Sequence, residues 1–519
     1  MTLDDAKVLV DAPGGRHANP ARHRPDLLAW AGAALVLVGA LLPWAAFVLP
    51  GGAYPDRATL QFFDAPHLVS GFRLHLVLLG LAGLAGRARR PAGIGVVVIA
   101  VVHLAFLIGL GAPSAGGPVA LVGGVLLVWR RPAVPALSLP LPGRVLAWPA
   151  LLAAFAGLLW LVSATLTAGG QSRATNPHGG AEFLAFCGFA FALVGVLSAY
   201  GVLTWLAALT QRHRIFAFTV MLACALLLPV TGAGTGYWMT VASTIGVYAA
   251  TAIGLNIVVG LAGLLDLGYV AFLGIGAFTA ANLAHSVPFP VAALAGAAVA
   301  GFFGVVVGAP TLRVRGDYLA IVTLAFGEIF FRAAQNDIGG LTGGVNAIPG
   351  IPPITLFGQA FNQPVGALPG GFLYYGLAVL LVAAAMVVLV NLKHSRTGRA
   401  WEAIREDEDV ARAMGVRTGR AKILAFLVGA TMAGLAGAVF AHKLGTVGYE
   451  SFDFSESVTL LAAVILGGMG TVPGAVVGAS LLFVLPEKLR EFSDYRLMLF
   501  GLALILIMRF RPRGLVSSS

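Results

Sequence analysis

The sequence predicts an all-α fold: a polytopic helical membrane protein with about 16 spans, at roughly 20 apolar residues per crossing. Three observations predict this class. Hydrophobic residues make up 58% of the 519 residues, and the mean hydropathy of +0.90 is far above that of soluble domains. Apolar runs of spanning length recur along the chain, and the basic residues gather in the short breaks between them.

The first part of the chain divides into a polar tail and an apolar extension. Residues 1–26 carry scattered Gly, Pro, His and Arg without an apolar period, which predicts a disordered tail and no cleavable signal peptide. Residues 27–210 then predict a membrane extension of about six spans. The apolar runs of this extension lie near 27–49, 72–86, 92–111, 117–129, 145–168 and 182–210.

Residues 214–511 contain about ten further runs and predict the second membrane region. The runs at 456–485 near its end are short and interrupted by glycines. The runs of this region are 214–231, 237–260, 263–285, 290–311, 317–335, 371–392, 423–441, 456–470, 473–485 and 495–510.

Loop charge predicts the orientation of the chain. The arginine-rich breaks fall on one side of the alternating runs, and the positive-inside rule makes that side cytoplasmic, together with both termini. The same alternation places LRVRGD at 312–317 and the charged stretch 394–422 in the cytoplasm, and the Gly- and Pro-rich loop 336–370 outside. Because the net charge of +11 comes from these short loops, we expect lipid bilayer contact and no nucleic-acid partner.

The stretch 394–422 is the one long, densely charged segment among the apolar runs. Its apolar residues recur at helical spacing, which predicts an amphipathic helix ended by Gly415. The apolar positions are Trp401, Ile404, Ala411 and Met414, and the polar faces carry Glu402, Arg405, Glu406, Asp409 and Arg412. Two interpretations remain open on pattern alone. The stripe needs a binding partner to cover it, or the segment is a solvated loop held inside by its arginines.

The sequence contains no motif for nucleotide binding or catalysis. The five lysines, at positions 7, 393, 422, 443 and 488, never follow a glycine, so no phosphate-binding GK[ST] loop is present. No HExxH or GxSxG motif occurs either, and both cysteines, Cys187 and Cys224, lie in apolar runs. We therefore expect a protein that is not an enzyme, with no metal and no cofactor of its own.

A few polar residues within or beside the apolar runs are candidates for a translocation pathway. Glu328 is costly inside a span unless it is paired or faces a polar space, so it either serves function or bonds a neighbouring helix. Asp266 lies at a chain turn next to Tyr269 and serves either as an N-cap or in the pathway. The glycines Gly260, Gly263, Gly268, Gly274 and Gly276 around it favour a broken or tightly packed helix. Thr342, Gly343 and Gly344 offer backbone amides to a carboxylate or form an ordinary turn.

From about residue 214 to the end, the chain resembles the LivM-type permease subunits of branched-chain amino acid ABC importers. The resemblance rests on five separated blocks in the same order as in that family. These are GLNIVVGLAGLLDLGYVAFLGIGAF at 254–278, DYLAIVTLAFGEI at 317–329, LTGGVNAI at 341–348, SRTGRAWEAIREDEDVARAMGV at 395–416 and LAAVILGGMGTVPGAVVGA at 461–479.

The resemblance implies that the charged stretch is a coupling helix that docks into a groove on an ATPase subunit. Asp409, Ala411 and Gly415 fit the acidic, alanine and glycine positions of the family's EAA-like motif. Val410 replaces one alanine, and no Ile-x-Leu-Pro tail follows. The ATPase-coupling residues that this implies are Trp401, Glu402, Ala403, Ile404, Asp409, Ala411, Arg412, Met414 and Gly415.

The resemblance also implies the function and the partners. The chain is expected to translocate branched-chain or other apolar amino acids by alternating access in the plasma (inner) membrane. Its expected partners are a homologous permease subunit, two ATPases that carry ATP and Mg, and an extracytoplasmic solute-binding protein. A permease for urea or short amides is the open alternative, and an ion-coupled secondary transporter is a second one. The extension at 27–210 is longer than the family plan leads us to expect.

Overall fold

The computed structural model describes residues 27–42, 44, 72–109, 113–129, 144–167, 179–310, 317–356, 358–366 and 368–488, and seven further residues between 498 and 515. Within these residues the chain forms eighteen α-helices and one two-stranded ribbon, so the all-α prediction is confirmed. The predicted tail 1–26, the LRVRGD stretch before Asp317 and most of the last predicted span lie outside the described residues.

The helices follow the apolar runs closely. The first nine are α1 (Leu27–Leu41), α2 (Phe72–Leu84), α3 (Arg89–Gly109), α4 (Gly116–Trp129), α5 (Arg144–Thr167), α6 (Gly179–Ala199), α7 (Val202–Arg212), α8 (Arg214–Leu227) and α9 (Gly236–Leu255). The other nine are α10 (Val270–Leu283), α11 (Phe289–Gly308), α12 (Asp317–Gln335), α13 (Phe372–Lys393), α14 (Arg396–Glu406), α15 (Glu408–Ala413), α16 (Thr418–Leu444), α17 (Phe454–Gly467) and α18 (Val472–Lys488).

Among the described residues, seven helices are long and apolar enough to cross a membrane. An eighth span results if α6 and α7, which are bent by 75° at their junction, are taken together. The expected number of about 16 counted every apolar run as a crossing. Several runs instead form apolar helices of 10–17 residues, such as α10 and α18, because glycines and prolines interrupt them.

The contacts divide the chain into two compact units, residues 1–139 with 184–205 and residues 140–183 with 206–519. In the first unit, α1 and α3 pack against α4 through small residues. A methyl group at Gly39 or Gly123 would collide with the facing helix. His75 stacks on Phe189, with ring centroids 4.2 Å apart. His75 is buried in this packing.

The second unit has its core where α16 crosses α10 and α11. Backbones approach closely there, and a methyl group at Gly276 would collide with the backbone of Gly434. Such close approach is the main source of packing energy between membrane helices, since lipid supplies no hydrophobic drive. The helices α9, α17 and α18 complete this core.

Two helix breaks interrupt this core. After α9 the chain continues as a π-helical segment, Asn256–Leu261, and then runs without helix to α10. The second break, Gly468–Thr471, separates α17 from α18. The predicted span 263–285 therefore begins with non-helical residues, as its glycines led us to expect. Gly263 takes a φ of +70°, which most other residues rarely adopt.

The loop 336–370 is mostly irregular in its described residues. It contains one 3₁₀ turn (Gly344–Asn346) and a short antiparallel ribbon of β1 (Thr355–Leu356) and β2 (Gln359–Ala360). A bridge between Ile348 and Val447 fastens the loop to the chain just after α16.

Candidate functional site

The charged stretch forms two helices rather than the single helix predicted. α14 ends at Glu406, and Asp407 takes an extended conformation with φ −159° and ψ 116°. The Asp407 carboxylate accepts the N–H groups of Asp409 (2.8 Å) and Val410 (3.0 Å), which starts α15. Gly415, with φ +86°, follows α15 and confirms the predicted stop. We refer to α14 and α15 together as the coupling element.

The apolar stripe of the coupling element is largely covered by the chain itself. Trp401 is fully buried, and its Nε1–H donates to the Ala421 carbonyl in the first turn of α16 at 2.7 Å. Ile404 and Ala411 are also buried. The expectation that the stripe requires an external partner is therefore wrong for these three residues, since α16 supplies the cover. Met414 is the exception and stays 81% exposed.

A buried ion pair fastens the coupling element to α16. The Glu408 carboxylate lies 2.6 Å from Lys422 Nζ and 2.9 Å from Arg412 Nη2. The Lys422 side chain is 3% exposed, and that of Glu408 is 18% exposed. The predicted coupling residues include neither Lys422 nor Glu408, although Glu408 lies within the charged stretch as one of its acidic residues. The available signal was the position of Lys422, a charged residue directly before an apolar span.

The predicted coupling residues therefore fall into two groups. Trp401, Ile404 and Ala411 anchor the element from within, and Ala403 is half-buried. The exposed residues are Glu402, Asp409, Arg412, Met414 and Gly415, joined by Val410, which is 59% exposed. The exposed group combines charges of both signs with two bare apolar side chains. A surface of that kind suits a protein partner better than it suits water alone.

The break before α10 brings two predicted pathway residues together. Asp266 is buried, and its Oδ1 accepts the Gly268 N–H at 3.0 Å. Its Oδ2 has no hydrogen-bond partner among the described residues. Tyr269 is fully buried and donates its hydroxyl proton to the Gly429 carbonyl at 2.6 Å. Both side chains lie inside the packing of the chain.

The third predicted ionisable residue, Glu328, lies apart from these two. Its Oε1 is 2.8 Å from Arg332 Nε, one turn further along α12, and the side chains are 50% and 62% exposed. The sequence predicted that Glu328 either serves function or bonds a neighbouring helix. Among the described residues, Glu328 forms no hydrogen bond to a neighbouring helix. The exposed residues described on α12 lie along one stripe, which consists of Tyr318, Ile321, Ala325, Glu328, Ile329 and Arg332.

The backbone amides predicted to face a carboxylate do bind one, but it belongs to this chain. Asp337 Oδ1 accepts the N–H groups of Thr342 (2.8 Å) and Gly343 (3.0 Å). These hydrogen bonds to the charged form lower the pKa of Asp337. Gly344 begins the following 3₁₀ turn. No group of three His, Cys, Asp or Glu side chains suited to a metal ion occurs among the described residues.

The comparisons with known proteins agree on one family. The profile described as "Branched-chain amino acid transport system / permease component" matches residues 237–508. The LivM permease protein of Escherichia coli strain K12 is 40% identical, with 59% of this chain and 76% of the relative covered. The BraD permease protein of Pseudomonas aeruginosa is 28% identical, with 54% of this chain and 93% of the relative covered.

A further relative matches only in part. The LivH permease protein of Salmonella typhimurium is 29% identical, with 27% of this chain and 45% of the relative covered. No solved structure matches.

A helical bundle with long apolar helices and an internally anchored, outwardly charged element defines a polytopic membrane transport subunit rather than an enzyme. The chain belongs to the family of branched-chain amino acid transport system permease components. A permease component implies a transport system with further subunits, and the resemblance inferred from the five sequence blocks is confirmed.

Proposed function

We propose that this chain is a permease subunit of an ATP-driven importer of branched-chain amino acids. The LivM and BraD permease proteins, at 40% and 28% identity, carry that substrate class in their names. The sequence has no GK[ST] loop, so ATP and Mg would bind to partner subunits. We propose two ATPases, a homologous permease subunit and an extracytoplasmic binding protein as those partners. The positive-inside rule supports an inner-membrane orientation with both termini and the coupling element in the cytoplasm.

One observation carries the proposal: one side of the coupling element is bonded to the rest of the chain, and its other side is exposed. Trp401 and Glu408 hold it to α16, while Asp409, Val410 and Met414 face away from the protein. Because a hydrogen bond and an ion pair join the coupling element to α16, the two move together as a rigid body. The coupling element can therefore transmit the movement of a docked ATPase to the membrane region.

The test is a charge reversal on the exposed side. Glu402→Arg with Asp409→Arg should abolish amino acid uptake and co-purification of the co-expressed ATPase. We expect the variant to remain inserted in the membrane, because neither side chain is buried. Uptake of radiolabelled leucine and ATPase retention on an affinity-tagged permease are the measurements.

A matched control is Glu450→Arg, which reverses an exposed acidic residue in the 3₁₀ turn Tyr449–Phe452 after α16. It should leave ATPase co-purification unchanged. Wild-type uptake and wild-type co-purification in the double variant would refute the docking assignment. Loss of co-purification in both variants would also refute it, because the effect would then not be local.

We further propose that the exposed stripe of α12 borders the translocation pathway. Glu328 lies 11 residues after Asp317, which is about 16 Å along a helix and close to the middle of a bilayer core. A carboxylate and a guanidinium at that depth are costly against lipid, so the stripe is better suited to a polar or protein-lined space. The other predicted pathway residues would then hold the backbone in place along the route rather than contact the substrate. They are Asp266, Tyr269, Thr342, Gly343 and Gly344.

We propose the division of the chain expected from its sequence, with a permease core at 214–511 that includes the coupling loop 394–422. The family match at 237–508 lies within this core. Residues 27–210 would form an additional membrane region. The contacts group residues 140–183, and with them all of α5, with the second unit.

A further inference from the structure

One buried side chain holds the two helix breaks of the core together. Asn256, at the start of the π-helical segment, is fully buried. Its Nδ2–H donates to the Thr471 carbonyl at 2.9 Å, and its Oδ1 accepts the Gly470 N–H at 2.8 Å. The backbones also meet, since a methyl group at Gly260 would collide with the Gly470 nitrogen. We call these breaks, Asn256–Tyr269 and Gly468–Thr471, the paired joints.

Two cations donate hydrogen bonds to these joints, one from the coupling element and one from the end of the helix before it. Arg405 on α14 donates from Nη1 to the Gly260 carbonyl at 2.5 Å, and Lys393 at the end of α13 donates from Nζ to the Gly470 carbonyl at 2.9 Å. Carbonyls at helix ends and breaks lack the donor that a continuing helix would supply. A charged donor there forms a strong hydrogen bond, and at Gly260 it also complements the negative end of the helical segment.

The stem of Arg405 is fitted closely against the first joint. A methyl group at Gly263 would stand 2.9 Å from Arg405 Cγ and 3.2 Å from its Cα. Arg405 also lines a cavity of about 500 Å³, together with Lys393, Leu261, Met469 and Glu402. Both cations therefore bond the joints while lining a cavity, so their side chains have space in which to move.

Since α14 is also bonded to α16 through Trp401, a displacement of the coupling element reaches α16 and the first joint directly. It reaches the second joint through Asn256 and through Lys393, which lies just before α14. Breaks of this kind are where transporter helices bend and where pathways are built. The paired joints are therefore the part of the core that a movement of the coupling element can bend.

We propose that Arg405 and Lys393 are positioning residues that transmit the movement of the coupling element to the paired joints. Arg405 pulls on Gly260, Lys393 pulls on Gly470, and Asn256 makes the two joints bend as one. This inference rests on the proposed function, because it presupposes an ATPase that moves the coupling element. It adds residues that neither the motif nor the apolar stripe selects.

The test uses the complete importer, with its ATPases, second permease and binding protein, in proteoliposomes. Arg405→Gln and Lys393→Gln remove the charged donors and keep an unbranched polar stem, which is two atoms shorter than that of arginine and one atom shorter than that of lysine. We expect co-purification of the ATPase and ATP hydrolysis to be retained. The number of leucine molecules transported per ATP hydrolysed should fall by about tenfold in each variant, the size of a typical coupling between sites.

Two further variants distinguish transmission from a general structural effect. Arg405→Lys keeps a charged donor and should restore most of the transport per ATP. Arg399→Gln is the matched control, because this arginine of the same helix bonds only the His394 carbonyl within its own loop among the hydrogen bonds described. It should transport as the unmodified importer does. Because Asn256 joins the two breaks, the Lys393→Gln/Arg405→Gln double variant should lose little more than either single variant.

An unchanged transport-to-ATP ratio in Arg405→Gln and Lys393→Gln would overturn the proposal. So would a loss of ATPase binding that accounts for all of the lost transport, since the cations would then belong to the docking surface. Failure of the unmodified importer to show any ATP-dependent uptake would instead refute the proposed function itself.

Discussion

Two regions of the second unit contain a carboxylate–cation pair at nearly the same distance. Glu408 and Lys422 lie 2.6 Å apart beneath the coupling element, and Glu328 and Arg332 lie 2.8 Å apart on the open face of α12. The first pair joins two elements and is buried. The second pair joins neighbouring turns of one helix and is half-exposed.

The contrast shows that burial, rather than distance, decides what an ion pair does. Breaking a buried pair leaves a charge without a partner in a poor solvent, which is strongly destabilising. An exposed pair within a helix contributes only tenths of a kcal/mol. Glu328 is the more conspicuous residue in the sequence, yet Glu408 and Lys422 hold the architecture. The following predictions test this difference.

The largest effect is expected from Lys422→Met. The methionine fills the space of the lysine but removes the buried cation that pairs with Glu408, so we expect a loss of about 3 kcal/mol in the free energy of unfolding. Thermal denaturation in detergent measures it. Arg412→Gln, which removes the exposed partner of the same carboxylate, should cost less than about 1 kcal/mol. Equal losses in the two variants would contradict the role given to burial.

A smaller effect is expected from Trp401→Phe. The phenyl ring keeps most of the packing but cannot donate to the Ala421 carbonyl, so the loss should be about 1 kcal/mol. Trp401→Ala also empties the site and should cost about 3–5 kcal/mol. A chemical denaturation series separates the two contributions. If both variants were as stable as the unmodified protein, the stripe would not anchor the coupling element.

For Glu328→Gln we expect a stability change below about 1 kcal/mol together with reduced leucine uptake. The exposed pair adds little to folding, whereas a carboxylate beside the pathway affects transport. Arg332→Gln breaks the same pair from the other side and is the control for pairing alone. Unchanged uptake kinetics in Glu328→Gln would remove this residue from the pathway.

The smallest effect concerns Asp337, whose pKa is lowered by the amides of Thr342 and Gly343. A group with a lowered pKa orders its loop fully above its ordinary pKa and loses this effect only as the pH falls through the lowered value. A spin label at Ile338→Cys should therefore keep its line shape from pH 7 down to about pH 4 and become mobile only in stronger acid.

Asp337→Asn should leave the label at Ile338→Cys mobile throughout that pH range. A label that mobilises at the ordinary pKa of an aspartate, or that is indifferent to the asparagine, would show that this carboxylate does not order the loop.

The sequence predicted local features well and distant ones poorly, for a physical reason. The helical period of the 394–422 stretch and the stop at Gly415 depend on neighbouring residues, and the structure agrees with both. The partner of Trp401 is a backbone carbonyl 20 positions away, and Asn256 bonds a residue 214 positions away. No pattern in a single sequence encodes such pairs, because they arise when separate helices meet.

The number of spans was also predicted poorly, because the sequence does not show where helices break. Glycines marked the place where a break was possible, but they did not show that α10 begins only at Val270. The carboxylate that binds the amides of Thr342 and Gly343 was also close in sequence yet unassigned. Asp337 reaches those amides only because it takes a positive φ of 49°.

The outward surface of the coupling element is most directly tested by site-specific cross-linking to the ATPase. In a chain with Cys187 and Cys224 replaced by alanine, Met414→Cys carries an exposed thiol and Ala411→Cys a buried one on the same short helix. A maleimide photo-cross-linker should join the co-expressed ATPase to the permease from position 414 and not from position 411. Cross-linking from neither position, or equally from both, would contradict the claim that this surface receives the ATPase.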